Sequence, residues 1–212
     1  MFGIIHYETF LLAGILLNLT PGNDTIYVLT RSIGQGRKAG IISVLGIGTG
    51  CLVHTILAAF GLSIIIAKSL LLFNIIKYAG AAYLLYLGFK MLKDKIIIAD
   101  TGEIAASERI SYLKTYRDGI LTNVLNPKVV LFFMAFLPQF INPSSKSTVL
   151  PFLALGGTFV TTGTLWCMVL AVFASAIFGR LKTSRIMTEL INKACGITLI
   201  GLGIKVALTG RK

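Results

Sequence analysis

Acid is scarce in this chain, and so are the residues that usually carry catalysis. Eight Asp and Glu stand among 212 residues, and charged side chains make up 13%. A water-soluble domain of this size needs more charge; with 55% hydrophobic residues and a mean hydropathy of +0.84 the chain falls in the membrane class. Cysteine occurs only as Cys51, Cys167 and Cys195, each inside an apolar run. An odd, dispersed set shows neither disulfide nor metal-ligand spacing, and the three read as small hydrophobes in helix packing. His6 and His54 are the only histidines, too few for the His, Cys and carboxylate clusters that a metal or inorganic-ion permease wants. No Ser-His pair and no Glu-x-x-His stands at a usable spacing, so an intramembrane enzyme lacks its nucleophile, base or metal. Nothing in the pattern asks for a cofactor.

Base is abundant by contrast: 20 Lys and Arg give a net charge of +12. These residues fall between apolar runs, where topology and anionic headgroups account for them, and no basic and aromatic stripe suggests nucleic acid. The N-terminus does not read as a secretory signal. No Lys or Arg precedes the first apolar run, Glu8 comes early, and no small-residue cleavage site follows, so the first segment is expected to stay.

Apolar runs of spanning length, about 20 residues, lie near 4–31, 40–66, 69–92, 116–140, 149–178 and 187–209. They predict an all-α polytopic membrane protein of six transmembrane helices. Lys68-Ser69 is so short a connection that helices two and three must be antiparallel neighbours. The one long connection, 93–115, reads as a solvated cytoplasmic linker with a short amphipathic turn. Loops one, three and five carry 12 basic residues against 4 on the other side. The positive-inside bias therefore puts the odd loops in the cytoplasm and both termini outside.

Inside the first span lies Asn18-Leu19-Thr20-Pro21-Gly22-Asn23-Asp24. Pro21 removes a backbone donor and clashes with the preceding turn, and Gly22 follows at once, so the helix breaks there. Irregular backbone at membrane depth is tolerated only against protein or a water-filled cavity. Asp24 should face that cavity, because a carboxylate facing lipid costs about 2.5–3.5 kcal/mol on insertion scales.

The pattern returns in the second half. Gly14-Ile15-Leu16-Leu17-Asn18-Leu19-Thr20-Pro21 resembles Gly119-Ile120-Leu121-Thr122-Asn123-Val124-Leu125-Asn126-Pro127 with one residue inserted, so helix four should break at Pro127 as helix one does at Pro21. Gly48-Thr49 is echoed by Gly157-Thr158. Lys77-x-x-Gly80 with Gly88-x-Lys90 is echoed by Lys193-x-x-Gly196 with Gly203-x-Lys205. Three helices per copy is odd, so the copies, 1–92 and 116–212, are inverted about an axis in the membrane plane. Two interrupted helices in corresponding positions, with substrate between them near the midplane, is a secondary-transporter pattern.

Bringing the breaks together converges Asn18, Thr20, Asn23 and Asp24 with Thr122, Asn123, Asn126 and Lys128. One anion, one cation and several amides match a zwitterionic amino acid, whose ammonium suits a carboxylate and helix carbonyls and whose carboxylate suits an ammonium or a helix N-terminus. The bland alternative is that Asp24 and Lys128 neutralise each other within the bundle. His54, in an otherwise apolar stretch of helix two, could relay protons, but a hydrogen-bonded structural histidine is the simpler reading. Lys77 and Lys193 lie near helix starts and can snorkel to headgroups. Gly46, Gly48, Gly50, Gly156, Gly157 and Gly163 read as close-packing positions; glycines on helix faces also permit a homodimer. Trp166, Tyr78, Tyr83 and Tyr86 read as packing or interface residues.

Asn18 to Asp24 at the first break, a glycine-rich second helix after Gly36-Arg37-Lys38-Ala39-Gly40, and Asn123-Val124-Leu125-Asn126-Pro127-Lys128 in the fourth resemble the LysE/RhtB amino-acid exporters over nearly the whole chain. The first motif of that family usually reads Pro-Gly-Pro; here Asn23 replaces the second Pro. The resemblance implies export of amino acids from the cytoplasm across a bacterial inner membrane, driven by the proton-motive force. The expected cargo is neutral, because no second intramembrane carboxylate near the break advertises a cationic one. Asp24 is the expected proton site. A metal or inorganic-ion permease and a structural or lipid-handling membrane protein stand as the alternatives; for the latter the two aligned breaks would be an unexplained cost in stability.

Overall fold

The computed structural model describes residues 3–62, 70–93, 111–142, 145 and 149–181, and towards the C-terminus 193, 196–197, 199–201, 203–204 and 207–208. Most of the linker 93–115, with its expected amphipathic turn, the connection at Lys68-Ser69, the basic residues of the fifth loop beyond Arg180 and much of the sixth apolar run lie outside the described residues. So do Cys195 and the side chain of Lys77.

The first apolar run is two helices. α1 (Tyr7–Leu19) buries Phe10, Ala13, Gly14 and Leu17, the i, i+3, i+4, i+7 stripe of a helix with one packed face. It stops where Pro21 forbids another turn. Thr20 N–H still reaches Leu16 O at 3.1 Å, after which the chain is extended through Gly22. α2 (Asn23–Gln35) then runs to Gly36, whose φ of +86° is open to glycine and strained for other residues. That corner lets α3 (Arg37–Leu57) begin at once and continue as a π turn, Ala58–Leu62. α4 is Leu70–Lys93.

The fourth run repeats the broken design. α5 (Tyr112–Val124) starts where Ser111 Oγ accepts from Lys114 N–H at 3.3 Å, an N-cap that places the start earlier than the expected 116. α6 (Pro127–Leu131) follows a break and passes into a π turn, Phe132–Phe136, and a 3-10 turn, Leu137–Phe140. These turns were not anticipated. Their physical source is Pro138, which has no N–H for the carbonyl one turn back and loosens the ladder on its N-terminal side. α7 (Val149–Leu181) is unbroken.

By length and composition two helices can cross a membrane, Arg37–Leu62 with mean hydropathy 2.0 and Val149–Phe173 with 1.6; the pair around the second break, bent by 46°, makes a third if counted as one span. The protein is thus all-helical with two or three membrane-capable helices among its described residues.

Two cores hold these pieces. Phe10 of α1, Phe132, Phe136 and Phe140 after α6, and Phe159 of α7 form an aromatic cluster, with Phe132 stacked on Phe159 at 4.4 Å between centroids. At the same end, Ile5 N–H bonds Phe140 O and Asn142 N–H bonds Gly3 O. Val28 of α2, Val44 and Ile47 of α3, and Leu170 and Ala171 of α7 form the second core. α3 and α5 cross at Gly46 and Gly119, where a Cβ on Gly119 would sit 2.9 Å from Ser43 O and 3.2 Å from Gly46 Cα. Gly119→Leu should therefore destabilise the fold by about 1–3 kcal/mol through overpacking, read as a lower unfolding temperature in detergent. Gly61→Leu, which meets nothing within 4 Å, should not.

Candidate functional site

The two breaks meet. Where α1 ends, its last carbonyls lack intrahelical partners and carry the negative end of the helix dipole. Lys128, in the first turn of α6, reaches across and donates from Nζ to Thr20 O at 2.8 Å. Where α2 begins, the dipole end is positive, and Asp24 sits in that first turn. Its Oδ2 accepts from Asn123 Nδ2 at 2.8 Å. The second broken helix thus reaches the first twice, through Lys128 and Asn123; Asp24 stands at a helix end that favours it, and the Lys128 ammonium, although its backbone opens α6, meets the carbonyl end of α1.

Amides hold the breaks in shape. Asn126 is the N-cap of α6; its Oδ1 accepts from Lys128 N–H at 3.1 Å, and Pro127 follows at the one helical position where its missing N–H costs nothing. Asn18 donates from Nδ2 to Thr162 Oγ1 of α7 at 3.0 Å. His54 is buried with Nε2 3.3 Å from Asn123 O and its ring against Phe133, so it holds the second break from behind, the structural role expected of it.

Between the breaks lies a cavity of about 40 Å³, room for roughly two or three waters. Asn18, Gly22, Asp24, Asn123, Asn126 and Lys128 line it, joined by Thr25 and Thr164, and Ile47, Cys51, Val129, Phe159, Val160 and Cys167 form its apolar wall. Three expected site residues stand elsewhere. Thr20 turns its hydroxyl back onto Leu16 O at 2.8 Å and offers the site only its carbonyl. Asn23 and Thr122 each lie one residue from a lining residue, which on a helix is a turn of about 100°, and they face a separate groove between α2 and α5. The apolar wall had no sequence signal, since its residues belong to runs that are apolar all round. Cys51 and Cys167 are free and buried, as expected of packing cysteines, yet both also border the cavity.

The glycines divide. Gly50 admits Asn123, whose Cβ would stand 2.9 Å from a Cβ there, and Gly163 admits Asn18 at 3.1 Å. Gly157, read as a packing position, meets nothing within 4 Å.

Asn23 is the first residue of α2, a position that suits proline because the N–H there has no intrahelical partner. Asn and Pro are interchangeable for this backbone. Asn23→Pro should fold normally and gain about 0.4–1 kcal/mol from a stiffer unfolded chain, measured by thermal unfolding.

Asp24 Oδ1 and Asn123 Oδ1 are buried with no hydrogen-bond partner from the protein, and both residues line the cavity, so these acceptors are open to water or to a ligand there. A group donating several N–H bonds and carrying positive charge would satisfy both.

The family model described as LysE type translocator matches residues 15–210. The chain is 34% identical over 200 residues to the uncharacterized membrane protein YrhP of Bacillus subtilis, covering 92% of this chain and 94% of that protein. It is 32% identical over 207 residues to the leucine efflux protein of Enterobacter sp. (strain 638), covering 97% of each. To the leucine efflux protein of Salmonella typhimurium it is 28% identical over 206 residues, covering 97% of this chain and 96% of the relative. No solved structure matches. With two facing helix breaks of opposite charge and a match along almost its whole length, the chain belongs to the LysE-type translocators, a bacterial family of membrane transporters that export amino acids.

Proposed function

We propose that the protein exports neutral amino acids from the cytoplasm by alternating access, with Asp24 holding the substrate ammonium and serving as the proton-coupling group. The observation that carries this reading is the pair of unpartnered buried acceptors, Asp24 Oδ1 and Asn123 Oδ1, in one cavity with the Lys128 ammonium. An α-ammonium supplies the donors that the two oxygens lack, and Lys128 with Asn18 and Asn126 suits the α-carboxylate. The wall of Ile47, Val129, Phe159 and Val160 leaves an aliphatic side chain without unpaired polar groups, and would leave a charged one desolvated. Likeness to leucine efflux proteins favours the same cargo. At about 40 Å³ the cavity is too small for an amino acid and has to widen to take one.

Six spans in two inverted three-helix repeats give this site its frame. The contacts support that reading: the register pairing Gly48 with Gly157 also pairs Gly50 with Phe159 and His54 with Gly163. Asn123 packs on Gly50 and bonds His54 through its carbonyl; Asn18 reaches Phe159 O at 3.5 Å and packs on Gly163. Like contacts recur at like positions. With the odd loops cytoplasmic, α2 and α5 form the inner half of the path and α1 and α6 the outer half. Protonation of Asp24 from outside would weaken its hold on the ammonium and release the substrate outward.

Ligand binding to purified protein tests the proposal. A ligand at 100 times its dissociation constant stabilises by about 2.7 kcal/mol, so a few neutral aliphatic amino acids should raise the unfolding temperature. Their N-acetyl and methyl-ester derivatives should not. Equal stabilisation by those derivatives, or by no amino acid at all, would contradict it.

A further inference from the structure

The groove between α2 and α5 is a broad, open depression, and the export mechanism has so far given it no task. Its walls carry Asn23, Thr30, Asp118 and Thr122 among apolar residues. α2 starts at one break and α5 ends at the other, so the groove runs up to the depth of the breaks. The exposed amide of Asn23 at that depth suits water rather than lipid, whereas Thr122 has its hydroxyl bonded to Asp118 O at 2.7 Å. Its inner end is one residue from the centre, since Asn23 precedes Asp24 and Thr122 precedes Asn123. The Asp24–Asn123 hydrogen bond joins the two helices beside the inner end of the groove, on the cavity side.

Further along, side chains tie α2 to α5. Arg31 Nη2 meets Asp118 Oδ2 at 3.2 Å, with the side chains 23% and 35% exposed. Arg31 also donates to Gln35 Oε1 and lies over the Tyr27 ring at 5.1 Å, and Tyr27 OH donates to Thr115 O at 2.8 Å. An ion pair this exposed contributes little to stability. It is therefore easily exchanged, and a guanidinium and a carboxylate together are complementary to a zwitterion.

We infer that this groove is a docking site for the zwitterionic substrate ahead of the central one, in which Asp118 on the groove wall takes the α-ammonium and Arg31, beside the groove and paired with Asp118, takes the α-carboxylate. One pair within the protein is exchanged for two with the substrate, so charge is balanced throughout. The exchange also releases the tie between α2 and α5 on the side from which substrate comes, which loosens the link at Asp24 and Asn123. A molecule with only one of the two charges breaks the pair and replaces half of it. The site thus favours amino acids over amines and carboxylic acids before the centre is reached. This inference rests on the export reading.

The test is counterflow in inside-out proteoliposomes, with labelled amino acid offered to the cytoplasmic face over a range of concentrations. Asp118→Asn and Arg31→Gln should each raise the half-saturating concentration by roughly tenfold, a change of about 1.4 kcal/mol, with the maximal rate little altered. The charge swap R31D/D118R, which keeps both charges at the pair, should bring it most of the way back. Unchanged half-saturation in both single variants, or a fall in maximal rate alone that the swap does not repair, would overturn the docking site and leave the pair a packing contact. Should the single variants fail to fold, Leu121→Cys on the exposed groove wall serves instead. A charged thiol reagent should block transport there, and saturating amino acid should protect; block without protection would overturn the inference. Absence of counterflow in the unaltered protein would instead sink the export reading, and the docking site with it.

Discussion

Asp24→Asn should abolish proton-gradient-driven export while leaving the protein folded. The amide has the shape of the carboxylate and can still bond Asn123, so the junction of the breaks survives. What goes is the charge. A hydrogen bond between charged groups contributes about 1.5–3 kcal/mol, so neutralising the acceptor should weaken substrate binding by roughly 10- to 150-fold. An amide also cannot take up and release a proton, so a pH gradient should no longer accelerate whatever exchange is left. Binding, gradient-driven transport and thermal unfolding measured on one preparation separate these effects. Full gradient-driven export by the variant would show that the coupling proton sits elsewhere.

Lys128→Met should have the second large effect, of a different kind. Lys128 Nζ caps Thr20 O at the broken end of α1, and removing it strands that carbonyl and leaves the Asp24 carboxylate in the cavity without this nearby cation. Loss of a partly buried charge-assisted bond of this sort costs up to about 1.5–3 kcal/mol. The expected result is loss of transport together with a clear drop in unfolding temperature, which Asp24→Asn should not show. In D24N/K128M the cavity holds no unbalanced charge, so stability should partly return while transport does not. Such non-additivity is the mark of residues coupled in one network. If the double variant is as unstable as the sum of the singles, the two breaks are held independently.

The parts of this protein legible in its sequence were those that are costly in a membrane. Pro21, Pro127 and Asp24 stand out because a missing donor or a carboxylate within an apolar run needs a reason, and the structure has both helices interrupted at those prolines. Asn126 and Lys128 were legible with them, being polar beside a break. Which face a polar residue takes was not legible: within an interrupted helix the phase after the break is set by the break itself. Hence Asn23 and Thr122 were grouped with neighbours whose cavity they do not share. Cys51 and Val160 were invisible because apolar residues in apolar runs look alike until packing distinguishes them. Arg31 read as one more basic residue flanking a span, and only the approach of α2 to α5 reveals Asp118 as its partner.

The most direct test of the central claim is counterflow in proteoliposomes loaded in turn with each amino acid and given a labelled neutral one outside. The account predicts that label accumulates against a few neutral amino acids, and that an imposed pH gradient drives transport in the natural protein but not in Asp24→Asn. No accumulation with any amino acid, in protein shown to be folded, would contradict it and assign the cavity between the breaks to another small solute or an ion.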